Sequence, residues 1–125
     1  MHAHLMHDVK KESSKRKEKE KILIYSLNVQ SLRAKKAELE YHLSQICPHI
    51  VLLQETWLDA STEDFCIEGY VIISRRDRHS DANRGGIITL CRQGFNHLVF
   101  IKNSKNEERS WHFLNLDPEV ILLGN

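Results

Sequence analysis

The sequence is short of cysteine, of long apolar runs and of net charge, and each shortage removes a class of protein. Its cysteines, Cys47, Cys66 and Cys91, are odd in number and far apart, which excludes a disulfide framework and a cysteine zinc site. Free, mostly buried thiols are the expectation. No apolar run approaches the roughly 20 residues that cross a bilayer, and the N-terminus lacks the apolar centre of a signal peptide. The simplest expectation is an intracellular protein, nuclear or cytoplasmic, not secreted and without a membrane partner. Eighteen Lys and Arg against seventeen Asp and Glu give a formal net charge of +1, so binding of nucleic acid has to rest on local patches. The patches on offer are Arg33, Lys35 and Lys36, then Arg75, Arg76, Arg78 and Arg84. No internal repeat is visible, and nothing in the pattern sets an oligomeric state.

The 125 residues fit one domain, but the first twenty differ from the rest. Lys10, Lys11, Lys15, Arg16, Lys17 and Lys19 stand there against Asp8, Glu12, Glu18 and Glu20 with almost no apolar residue after Met6, which predicts a charged, disordered arm or a frayed helix over 1–20. His2, His4 and His7 offer no preorganised metal geometry in such a tail. From 21 onward the pattern is that of a folded domain. Runs 22–27 and 50–53 are continuously apolar, as strands covered on both faces are. Between them Leu32, Leu39, Leu43 and Ile46 fall at helical spacing, with Ser31 as a natural N-cap and Pro48 as a stop. Further strands are predicted at 71–74, 87–91, 98–101, 110–116 and 119–123, with a hairpin joining the first two. The class is α/β: a βαβ unit followed by antiparallel pieces. One helix cannot cover both faces of a sheet this apolar, so 21–125 is expected to be an incomplete domain.

Strand, helix, strand in this order forms a right-handed parallel unit, which brings both strand ends to one edge of the sheet. Asn28 ends the first strand and Glu55 follows the second. Ligands of open α/β sheets bind at this carboxyl edge, where a carboxylate beside an amide can seat a hard cation and a phosphate. Each residue also has a plainer reading. Glu55 could lie in solvent or pair with an arginine, and Asn28 could simply end a strand.

Leu27-Asn28-Val29-Gln30-Ser31-Leu32, then Pro48-His49-Ile50-Val51-Leu52-Leu53-Gln54-Glu55-Thr56-Trp57-Leu58, then Gly69-Tyr70 and Arg84-Gly85-Gly86-Ile87 resemble the first half of the endonuclease/exonuclease/phosphatase family. The resemblance is greatest to the apurinic-type endonuclease domain of non-LTR retrotransposon polyproteins, and it covers 21–125. It implies the N-terminal half of a four-layer DNase I-like α/β sandwich and Mg²⁺-dependent, or Mn²⁺-dependent, phosphodiester hydrolysis that nicks DNA. By the same resemblance Asn28 positions the scissile phosphate near the metal, Glu55 is the metal-binding glutamate, and Gln30 and Arg84 are candidates for contact with the substrate. Gln30 stands where DNA-repair relatives often carry aspartate and retrotransposon members commonly carry glutamine. The glycines after Arg84 read as structural.

The family's catalytic tyrosine, its Asp-x-Asn motif and its terminal aspartate and histidine have no counterpart in this sequence. His79, His97 and His112 sit in no motif resembling the missing histidine. Little or no nuclease activity is therefore expected from the chain alone. The alternative is a non-catalytic module that binds nucleic acid or a protein. A nucleotide-binding domain of the Rossmann or P-loop kind is disfavoured, because the turn after the first strand has no glycine to cradle phosphates.

Overall fold

The computed structural model describes residues 2–12, 17–62, 64–78 and 84–125, and side chains from 21 onward within those ranges. The two apolar runs form strands β2 (Lys17–Asn28) and β3 (Ile50–Gln54), which pair in parallel with Ile24 opposite Ile50 and Asn28 opposite Gln54. The helix α1 (Leu32–Ile46) connects them. Ser31 caps its start, accepting from the Ala34 N–H at 3.4 Å, and the Cys47 N–H closes its end on the Leu43 carbonyl at 2.8 Å.

Two more strands, β4 (Tyr70–Arg76) and β5 (Ile87–Arg92), form the expected antiparallel pair, and β5 inserts between β3 and β4. With β1 (His2–Glu12) on the far side of β2, the five-stranded sheet runs β1-β2-β3-β5-β4. The remaining strands, β6 (Leu98–Asn103), β7 (Ser110–Leu116) and β8 (Glu119–Gly124), make a separate three-stranded antiparallel sheet.

Two cores explain the unbroken apolar runs. Side chains alternate across a strand, so Tyr25, Val51, Leu53, Ile88 and Leu90 face α1 and pack on Leu32, Leu39 and Leu43. Their neighbours Ile22, Ile24, Ile50, Leu52 and Cys91 face the second sheet and pack on Leu98, Leu114, Leu116 and Leu123. The layers are therefore helix, sheet, sheet. Each fully buried Leu or Ile contributes about 1.5–3 kcal/mol relative to exposure, and the central strand β3 contributes to both cores.

Three expectations change. The backbone of 2–12, expected as a disordered arm, runs antiparallel to β2 with Glu12 opposite Lys17 and Lys11 opposite Glu18. Alternating charge is as compatible with such a ladder as with solvent, and composition does not separate the two; 13–16 lie outside the described residues. Of the three thiols only Cys91 is buried, and burial raises it to about 12; Cys47 and Cys66 are exposed. Cys47 is exposed because it stands just past the end of α1.

The second basic patch is also largely consumed within the fold. Arg75 donates to the carbonyls of Thr62 and Asp59 and to the Asp77 carboxylate. Arg76 donates to the carbonyls of Ser104 and Glu107, and Arg78 pairs with Asp59 at 3.2 Å. These arginines pin loops, whereas Arg84 is exposed.

Candidate functional site at the carboxyl edge of the sheet

The βαβ unit brings Asn28 and Glu55 to one edge. The Val29 N–H reaches the Gln54 carbonyl at 2.9 Å, so β2 and β3 stay paired up to the point where they open. The start of α1 is bonded to the same place: Ser31 N–H donates to the Glu55 carbonyl at 3.0 Å and Leu32 N–H to the Thr56 carbonyl at 2.9 Å. The Arg84-Gly85-Gly86 segment closes the other side, with Thr56 N–H on the Gly86 carbonyl at 3.1 Å and Trp57 N–H on the Gly85 carbonyl at 2.8 Å.

This stitching holds the backbone in unusual conformations. Gln30, Ser31, Glu55 and Trp57 all have positive φ, at 47°, 79°, 56° and 57°. Each such residue costs of the order of 1–3 kcal/mol, and such residues cluster where a site needs preset geometry. Gly86, at φ 97°, lies directly against the buried Thr56 hydroxyl, leaving no room for a Cβ. Gly85, at φ 102°, faces the Glu108 carboxylate on one side and turns its N–H to Glu55 on the other.

Glu55 is the best-held carboxylate of the edge. Its Oε2 accepts from the Trp57 indole Nε1–H at 2.7 Å and from the Gly85 N–H at 2.7 Å. Those bonds, the Gly85 one foremost, keep its pKa below the usual carboxylate range. The Arg84 guanidinium adds to this effect, and desolvation opposes it. Glu55 is thus ionised at neutral pH. Asn28 and Gln30 are exposed, and their side-chain amides bond to no described residue. Arg84 is exposed and lies close enough to Glu55 to act on its charge.

The first turn of α1 completes the edge. It holds Arg33 and Lys35 with no acidic residue, although a helix N-terminus is itself positive and favours acids. Lys36 leans over the Phe65 ring, 5.6 Å from its centre. Arg33 and Lys35 are both exposed and make this turn a local positive patch. Among the described residues no group of three or more His, Cys, Asp and Glu converges to hold a metal.

Three participants were not legible as such. In the sequence Trp57 and Gly85 stand only as members of motifs, since a hydrogen bond to Glu55 leaves no compositional trace. Asn125 is the third: its carboxamide accepts from Gln54 Nε2 at 2.8 Å and donates to the Ile88 carbonyl and the Thr89 hydroxyl at 2.9 and 3.0 Å. It thereby ties the second sheet beneath the edge. Of the histidines, His97 packs on Phe95 and His112 is buried on Ser74; His79 lies outside the described residues.

Two sheets packed face to face, with a helix over one outer face, define a partial DNase I-like α/β sandwich. The solved structure of an AP endonuclease from Leishmania major is similar to it, with a TM-score of 0.67 at 22% identity. That likeness covers 82% of this chain and 38% of the other, so this chain spans well under half of its neighbour's length. At that identity the likeness shows the fold. No protein-family model and no curated protein matches the chain.

Proposed function

We propose that the chain acts on DNA as an endonuclease-type phosphodiesterase domain of the non-LTR retrotransposon kind. Glu55 and Asn28 would seat a divalent cation, Mg²⁺ or Mn²⁺, against a backbone phosphate. The observation that carries this reading is the Glu55 carboxylate, held ionised at the strand edge with one oxygen taken up by two donors. The donor set fits the ion: a carboxylate and an amide oxygen are hard ligands, and Mg²⁺ commonly takes one or two carboxylates with waters and substrate phosphate. A cation bound there would neutralise phosphate charge and polarise the phosphorus centre.

The chain's own residues have separate tasks. Asn28 offers an uncharged donor and acceptor to a phosphate oxygen, Gln30 extends that reach, and Arg84, Arg33 and Lys35 hold neighbouring phosphates. The resemblance of Gln30 and of the run ending Gln54-Glu55-Thr56-Trp57-Leu58 to retrotransposon endonucleases supports DNA as the substrate. Hydrolysis also needs a base for the attacking water and an acid for the leaving oxygen, and the edge as described supplies neither besides Glu55. Nicking by the chain is therefore expected to be slight.

Fluorescence anisotropy of a labelled duplex tests the reading. Mg²⁺ should tighten binding by the full chain at least severalfold, and Glu55→Gln should abolish that gain. The acid-free, cation-bearing first turn of α1 favours one second reading, a non-catalytic nucleic-acid-binding module. Salt-sensitive binding indifferent to both Mg²⁺ and Glu55→Gln would select it.

A further inference from the structure

The two hydrogen bonds on Glu55 fall on the same oxygen. Trp57 Nε1–H and Gly85 N–H both donate to Oε2, each at 2.7 Å, whereas no hydrogen bond from a described residue engages Oε1. The two donors are locked together as well as to Glu55. Trp57 is set by its left-handed backbone and its N–H bond to the Gly85 carbonyl at 2.8 Å, and Gly85 by a φ of 102°. A carboxylate so clamped cannot rotate about its last torsion without breaking both bonds.

We propose that Trp57 is a positioning residue: together with the Gly85 N–H it occupies one oxygen of Glu55, so that Glu55 presents the other to its ligand and holds a cation through a single oxygen. The inference rests on the proposed cation site and adds which residue orients it. Its physical content is the ordinary role of a partner behind a metal ligand, whose loss commonly weakens metal affinity 10–100-fold. A merely structural indole would brace the loop equally well with Glu55 or with a neutral amide at that position.

Two measurements on the full chain test this. The molecule has two indole N–H groups, Trp57 and Trp111, the latter donating to Ser104 Oγ at 3.0 Å. A Trp111→Phe variant therefore assigns the pair in a ¹H–¹⁵N spectrum. The Trp57 signal should lie downfield, move upfield in Glu55→Gln, and stay downfield when Mg²⁺ alone is titrated in. An indole signal indifferent to Glu55→Gln overturns the proposal without needing Trp57 to be changed. Trp57→Phe should then weaken Mg²⁺ binding about tenfold or more, as its partner role implies. Unchanged Mg²⁺ affinity in a folded Trp57→Phe overturns the positioning role and leaves the cation site standing. Absence of Mg²⁺ binding to the unaltered chain removes both.

Discussion

His112 is fully buried where the two sheets meet, with Nε2 2.8 Å from Ser74 Oγ and Nδ1 3.3 Å from the Leu123 carbonyl. A carbonyl can only accept, so Nδ1 carries the proton and Nε2 accepts from the Ser74 hydroxyl. Burial foremost pushes the His112 pKa below its ordinary value, and the Leu123 contact offsets part of that. The unfolded chain therefore binds the proton more readily than the folded one. The associated stability is present above the ordinary histidine value of about 6.5 and is lost as pH falls from there toward the folded pKa. Tm should decline through that window, and His112→Phe should flatten the decline in a pH series followed by circular dichroism. Ser74→Ala should cost about 1–3 kcal/mol at neutral pH by leaving the imidazole acceptor unpaired, measurable by urea denaturation. Gly86→Ala should destabilise by more than about 1 kcal/mol, since it adds both a clash with Thr56 and backbone strain at positive φ. None of this pairing was legible in the sequence, where His112 read only as a strand position between Trp111 and Phe113. Cross-sheet partners 38 residues apart leave no spacing signal.

At the scale of elements, periodicity did most of the work. Helix α1, β3 and the five later strands lie where apolar spacing and turn residues place them, because each buries a regular face in one of two cores. The placement of Asn28 and Glu55 at one edge was legible too, since parallel pairing across α1 requires it. The assignment of strands to sheets was not: nothing in the spacing shows that 98–103 leaves the first sheet, or that β5 enters between β3 and β4. The cations of α1 give an element-level prediction. Arg33→Glu with Lys35→Glu should weaken duplex binding uniformly across sequences. It should also reduce the slope of log affinity against log salt by about 2 if each cation neutralises one phosphate, read by anisotropy at several salt concentrations. The double change adds acids to the first turn of α1, where the helix dipole favours them, so Tm should not fall.

At the scale of the whole molecule, one face of the second sheet is bare. Val99, Phe113 and Leu122 lie in register across β6, β7 and β8, with exposures of 52%, 44% and 57%, and Val120 on β8 is exposed beyond them. Contiguous apolar surface of this kind binds other apolar surface. The chain should therefore bind a fluorescent apolar dye in its folded state and associate at high concentration. Phe113→Lys with Leu122→Lys should suppress both without lowering Tm, as followed by light scattering and dye fluorescence.

The proposed cation site is the carboxyl edge that Asn28, Glu55, Trp57 and Gly85 form above the paired ends of β2 and β3. Paramagnetic broadening by Mn²⁺ of the ¹⁵N-labelled chain bound to a short duplex probes that edge directly. If that edge is the cation site, broadening begins at the amides of 28–30, 55–57 and 85 and disappears in Glu55→Gln. Broadening centred elsewhere, or spread evenly over exposed carboxylates and unchanged in Glu55→Gln, would contradict it.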